Sequence, residues 1–186
     1  MEDLIEAARE VQDSLELTGL PFCFIGGLAN LHWGEPRLTQ DLDLTVLSGW
    51  GREEAVVDKL LSLIRPRFDD ARDFALENRV LLLKSNGGIP IDLALGALPF
   101  EEAATARAQD ILFADISLRI CSAEDLVVMK AFANRPRDWS DIEGILLRQA
   151  GKLDTDYILK QLKALAPSKP DQPLMERIKE LLEEDQ

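Results

Sequence analysis

The sequence predicts a mixed α/β (α+β) fold: a mixed sheet with flanking helices, followed by a small C-terminal helical domain. Three observations predict it. Residues 22–46, FCFIGGLANLHWGEPRLTQDLDLTV, run from an apolar strand through Gly26 and Gly27 into a short helix, a polar loop and a second strand. In that second strand Leu42, Leu44 and Val46 alternate with Asp41, Asp43 and Thr45, so a period of two places both carboxylates on one face. From there strand-like and helix-like runs follow each other, the order of a sheet with crossovers, whereas beyond a last short strand at 116–121 the pattern is helical throughout. The expected domains are a core at 1–115 and a helical part at 116–186.

Taken in order, residues 2–17 carry Leu4, Ala8, Val11 and Leu15 at helical spacing with acids in the first turn, and Gly19 and Pro21 close that helix. Residues 22–25 are too apolar for anything but the sheet interior. A short helix at 28–33 contains the single histidine, His32, expected to be a partly exposed structural residue. After the strand of Asp43, a helix at 52–64 with Val56, Leu60 and Ile64 on one face ends at Arg65-Pro66. Residues 68–78 read equally as helix or coil. Strands at 79–84 and 89–95 flank the turn Asn86-Gly87-Gly88 and form a hairpin. A helix at 99–109 and the strand at 116–121 complete the core. Ser122-Ala123-Glu124-Asp125 is a capping box opening a helix that contains Lys130, and Ser140 with Glu143 is expected to cap the next. Further helices are expected at 154–166 and 173–184, with a linker at 167–173; the charges of the last form a solvated face.

A composition of 46% hydrophobic and 30% charged residues describes a well-cored globular chain. No apolar run approaches the ~18 residues of a membrane span, and the acidic start lacks the order of a signal peptide, so a cytoplasmic protein without membrane contact is expected. Cys23 and Cys121 lie in apolar runs and are expected to be reduced core residues. The net charge of −13 argues against a sequence-independent nucleic-acid binder, which needs Lys and Arg against phosphate.

Two acids side by side on one strand face repel each other unless a cation sits between them. Hard oxygen donors select Mg²⁺, Mn²⁺ or Ca²⁺, and Mg²⁺ is commonly held by one or two carboxylates together with substrate phosphates. Gly26 and Gly27, without Cβ atoms, let backbone amides at a helix start approach an anion. Arg37 is placed either to meet a phosphate or to pair with Asp41. Asp92 interrupts the row Ile89, Ile91, Leu93, Leu95 from the opposite face, an expensive position for an acid without a partner.

The pattern G-G-x-A followed by R-x-T-x-D-x-D, here Gly26, Gly27, Ala29, Arg37, Thr39, Asp41 and Asp43, resembles the nucleotidyltransferase superfamily of the DNA polymerase β fold. Within it the chain is most similar to AbiEii/AbiGii toxin-type minimal nucleotidyltransferases. EDLVVMKAFANRPRDWSDIEGIL is similar to their helical motif E-D-L-x-x-x-K with R-x-x-D-x-x-D. Many members have Gly-Ser where this chain has Gly26-Gly27, which leaves backbone amides alone there. The resemblance implies an enzyme that moves a nucleoside monophosphate from an NTP to an acceptor hydroxyl. It implies Mg²⁺ or Mn²⁺ held by Asp41, Asp43 and Asp92, with Asp92 as the third acid. It further implies nucleotide contacts from Gly26, Gly27, Arg37, Thr39 and Lys130. Lys130 is otherwise a snorkelling surface lysine, and Asp138 and Asp141 read as helix N-terminal acids or as site groups.

Toxin-type members imply RNA, above all tRNA, as acceptor and an antitoxin protein as partner. Lys130, Arg135 and Arg137, with Arg37, are the cluster that would meet RNA. The acidity fits a cationic small molecule instead, as in aminoglycoside adenylyltransferases, and a non-catalytic binding module or antitoxin-like partner is the remaining reading.

Overall fold

The computed structural model describes residues 1–170 and 173–184. Its elements run α1 (Glu2–Glu16), β1 (Phe22–Phe24), α2 (Gly26–Trp33), β2 (Leu42–Leu47), α3 (Glu53–Leu61), β3 (Arg65–Pro66), α4 (Ala71–Asn78), β4 (Val80–Lys84), β5 (Pro90–Gly96), α5 (Pro99–Arg107), β6 (Gln109–Phe113) and β7 (Ile116–Ile120). The helices α6 (Ala123–Ala133), α7 (Pro136–Gln149), α8 (Thr155–Leu165) and α9 (Leu174–Glu184) follow. The chain divides into two compact units, Met1–Leu28 with Leu38–Cys121, and Ala29–Arg37 with Ser122–Gln186.

The first unit is built on a seven-stranded mixed sheet in the order β3-β4-β5-β2-β1-β7-β6. β2 sits in the middle, parallel to β5 and antiparallel to β1, and β1 pairs in parallel with β7. Leu42, Leu44 and Val46 of β2, Ile91, Leu93 and Leu95 of β5, and Leu81 and Leu83 of β4 are all buried, as the period-two pattern requires. α1 buries Leu4, Ala8, Val11 and Leu15 along one stripe. Its Gln12 amide clamps β7, donating to the Ser117 carbonyl at 3.1 Å and accepting from the Arg119 amide at 2.9 Å.

Several elements depart from the sequence expectation. β6 was not expected: it is the outer strand, largely exposed, so its side chains carry no clean alternation. Arg65-Pro66 is a short edge strand on β4 rather than a plain helix stop, a place where the missing proline N–H costs nothing. Residues 71–78 are helical, with Arg79 in the left-handed region at φ 56° ending the helix.

The second unit packs α6 to α9 around Trp139, Leu126, Val127, Ile142, Ile158 and Leu162, all buried. Ser122 caps α6, its hydroxyl accepting from the Asp125 amide at 3.1 Å. α7 starts at Pro136 rather than at Ser140, because Pro136 is preset for a first helical turn and Asp138 accepts from the Arg135 amide at 3.3 Å. Ser140 and Glu143 therefore lie inside the helix and cap nothing. In α9 Leu174, Ile178 and Leu182 are buried beneath the charged face, and Arg177 stacks over the Trp139 ring at 4.2 Å. Cys23 and Cys121 are both buried, and neither is in a disulfide. Among the described residues no helix is long and apolar enough to cross a membrane.

Candidate active site

β1 and β2 bring the glycine turn against the acids. The Ile25 amide donates to the Asp43 carbonyl at 2.9 Å, and Gly26, at φ +58°, then swings the chain into α2. A Cβ on Gly26 would lie 2.0 Å from Asp43 Oδ2, and one on Gly27 would lie 2.3 Å from Thr39 Oγ1. The space that the two absent side chains leave is thus taken by Asp43 and Thr39 themselves, so glycine is required for the acidic strand to close on the turn. Thr39 Oγ1 also donates to Asp41 Oδ1 at 3.0 Å, orienting the first carboxylate. Gly26→Ala is expected to lower stability by about 1–3 kcal/mol through backbone strain alone, and to displace Asp43. Chemical denaturation read beside Mn²⁺ affinity checks this, and an unchanged midpoint would show that the turn relaxes freely.

Asp41 lies just before β2 and is exposed; Asp43, within it, is half-buried. On the neighbouring strand β5, Asp92 is the register partner of Asp43. Side chains of register partners on parallel strands project from the same face, so the third acid stands beside the second. Like charges placed across two strands destabilise a sheet unless compensated. At Asp92 the compensation is Arg67, whose Nη2 donates to Oδ1 at 2.5 Å. The sequence reading missed Arg67. No local signal marks it, because the edge strand before it is only two residues long.

Arg37 and Lys130 belong to the second unit, where both bond Asp141. Arg37 Nε and Nη2 donate to its two oxygens at 2.8 and 2.9 Å, a bidentate fork, and Lys130 Nζ donates to Oδ2 at 2.5 Å. Lys130 is buried and also lies 3.8 Å from Asp138. Burial would push the Asp141 carboxyl up, but the hydrogen bonds from Arg37 and Lys130, with their charges, outweigh it and hold the group below the ordinary carboxylate value. Arg37 is thus forked onto Asp141, and Lys130 is buried in an ion pair rather than snorkelling at the surface. Of the basic cluster, exposed Arg135 donates from Nε to Asp138 at 2.6 Å.

The loop between these residues is built, not slack. Asn30 Nδ2 donates to the Glu35 carbonyl at 3.0 Å, Gln149 Nε2 to the Trp33 carbonyl at 3.0 Å, and Arg148 to the Gly34 carbonyl. His32 packs edge-on against Trp33, and burial, with Arg148 nearby, lowers its pKa.

Among the described residues no three His, Cys, Asp or Glu side chains form a ready-made metal cage. The donor set fits Mg²⁺ or Mn²⁺ of the kind that takes one or two carboxylates and completes its shell from phosphates.

A family model described as "Nucleotidyl transferase AbiEii toxin, Type IV TA system" matches residues 11–186. No curated protein matches. A nucleotidyltransferase-like antigenic protein from Paracoccidioides brasiliensis is similar in structure, with a TM-score of 0.56, 15% identity, and 92% of this chain and 90% of that one covered. The antibiotic-resistance factor ANT(2'')-Ia is similar too. Its complex with adenylyl-2''-tobramycin gives a TM-score of 0.56 at 14% identity, covering 89% of this chain and 98% of that one. Its solution structure gives 0.51 at 17%, covering 90% and 91%.

Proposed function

Since the chain belongs to the AbiEii nucleotidyltransferase toxin family, we propose that it transfers a nucleoside monophosphate from an NTP to an acceptor hydroxyl and releases pyrophosphate. The observation that carries this reading is the register pairing of Asp43 with Asp92 on parallel strands, with the Gly26 turn closed on Asp43. Asp41 and Asp43, with Asp92 beside them, are the groups that would hold Mg²⁺ or Mn²⁺. When bound, the metal supplies charge neutralisation for the triphosphate.

The rest follows from the chain's own groups. The acceptor oxygen attacks the α-phosphorus, the bond from that phosphorus to the bridging oxygen of the β-phosphate breaks, and pyrophosphate leaves with the electron pair. The acceptor proton passes to Asp92 or to water next to it. Backbone amides at the start of α2 offer donors and a positive helix end to the phosphates. Thr39 keeps Asp41 in place, while Arg37 and Lys130, joined at Asp141, give the second unit its cationic cluster.

The acceptor proposed first is RNA, with tRNA the leading case, in a cytoplasmic protein; the type IV toxin-antitoxin description of the family supports an antitoxin protein as partner. A cationic small molecule is the second reading, favoured by the charge of −13. NTP with Mg²⁺ is expected to stabilise the fold by about 2.7 kcal/mol at 100 times Kd. An unchanged melting temperature across all four NTPs and both metals would favour a non-catalytic binding module. Transfer from α-phosphate-labelled NTPs, run on total tRNA and on aminoglycosides side by side, separates the two acceptors. Label on the drug alone removes the RNA reading.

A further inference from the structure

Arg67 follows the edge strand β3, and its backbone amide donates to the Leu82 carbonyl at 3.0 Å. Leu82 is the register partner of Asp92, and Asp92 of Asp43, so Arg67, Leu82, Asp92 and Asp43 form one row across four neighbouring segments of the sheet. The arginine reaches along that row over β4, and its guanidinium makes three contacts there. Nη2 donates to Asp92 Oδ1 at 2.5 Å and to the Ile91 carbonyl at 3.1 Å, and Nε donates to the Leu83 carbonyl at 3.4 Å. Exposed ion pairs generally contribute little, because two long side chains must be ordered to make them. Here two backbone carbonyls also accept from the guanidinium, so the carboxylate is not the only group that orders it. The side chains of Arg67 and Asp92 are also partly buried, at 33% and 41% exposure.

From this we infer that Arg67 is a resident counter-cation that competes with divalent metal for Asp92. The protein with its nucleotide accordingly takes up one divalent ion, at Asp41 and Asp43, and Asp92 joins as a ligand only when Arg67 is displaced. A fixed guanidinium at one carboxylate oxygen lowers the negative charge a metal would meet and occupies one of its lone-pair directions. The arrangement gives an order of events: nucleotide and first metal load against two acids, while the third stays neutralised by the protein. The inference rests on the metal reading proposed above and divides its labour between the acids.

Mn²⁺ titration read by electron paramagnetic resonance, with a non-hydrolysable NTP analogue present, tests this on the full chain. Wild type is expected to bind one Mn²⁺, and Asp43→Asn to lose it. Arg67→Gln, which keeps hydrogen-bond donors but no charge, should gain a second ion bound roughly tenfold or more tighter than any second ion in wild type. Arg67→Lys should behave as wild type, and Arg67→Gln with Asp92→Asn should lose the gain. Asp92→Asn alone, which leaves Arg67 untouched, should keep one ion at unchanged affinity. Circular dichroism melts confirm that each variant is folded. Two ions in wild type, or loss of an ion in Asp92→Asn, overturns the inference while leaving the metal reading standing. An Arg67→Gln isotherm identical to wild type does the same. No Mn²⁺ on wild type or any variant overturns both.

Discussion

Asp43→Asn is expected to cut nucleotidyl transfer by roughly 10³-fold, the scale on which charge-stabilising groups act in a transition state, while the protein stays folded. Asp43 combines three relations that no other acid among the described residues has. Its carboxylate fills the space beside Gly26, its strand pairs with both β1 and β5, and its register partner is another acid. Asparagine keeps the shape that closes the turn and removes the charge. The melting temperature without metal should therefore stay level or rise, since a repulsion across β2 and β5 has gone. Asp92→Asn should separate binding from chemistry: NTP affinity survives and turnover falls, read as a drop in kcat with little change in the nucleotide Kd. If Asp43→Asn unfolds the protein, the carboxylate is a structural group; if Asp92→Asn loses NTP affinity and turnover equally, the two acids do one job.

The largest expected stability loss lies elsewhere, at Asp141. It is buried and holds both Arg37 and Lys130, so Asp141→Ala leaves a buried ammonium with only Asp138, 3.8 Å away. Breaking a buried pair in this way costs about 3–5 kcal/mol, most of it the desolvation of the abandoned charge. Replacing both partners, Lys130→Met with Asp141→Leu, should be far less costly than the single change, because no charge is stranded. Urea unfolding of the two variants gives the comparison, and equal losses would show that packing rather than charge holds the site. The same carboxyl gives the fold a pH dependence. Its pKa is lowered on folding, so its contribution is complete above the unfolded value of about 3.9 and is lost as pH falls through the lower folded value. Wild type should lose stability more steeply than Asp141→Asn below about pH 4.

Local signals carried most of the architecture. α1 was legible from apolar spacing, α6 from Ser122 as a cap, and the β4–β5 hairpin from its Asn-Gly-Gly turn. The alternation in β2 and β5 put Asp43 and Asp92 on the faces opposite their buried aliphatics, and the pairing of the two strands then sets them side by side. Asp41, expected inside the strand, lies one residue before it. What could not be read were choices made by partners distant in sequence. Arg37 had Asp41 close by in the chain yet forks onto Asp141, 104 residues away. Arg67, just past the helix end at Arg65-Pro66, drew no reading at all, because its role depends on which strand lies two positions across the sheet. Gly26 and Gly27 were legible as a tight approach, but the groups approaching them are the chain's own Asp43 and Thr39.

The two margins of the sheet are unequal. β3 is two residues long and contains Pro66, which has no N–H to offer a newcomer, so strand addition is blocked on that side. β6 is five residues long, carries Leu112 at 67% exposure, and is guarded by the single charge of Asp110. At high concentration, or during slow refolding, self-association by strand pairing therefore has one point of entry among the described strands. A lysine at Leu112, on a strand remote in register from the three acids, is the substitution that would close it.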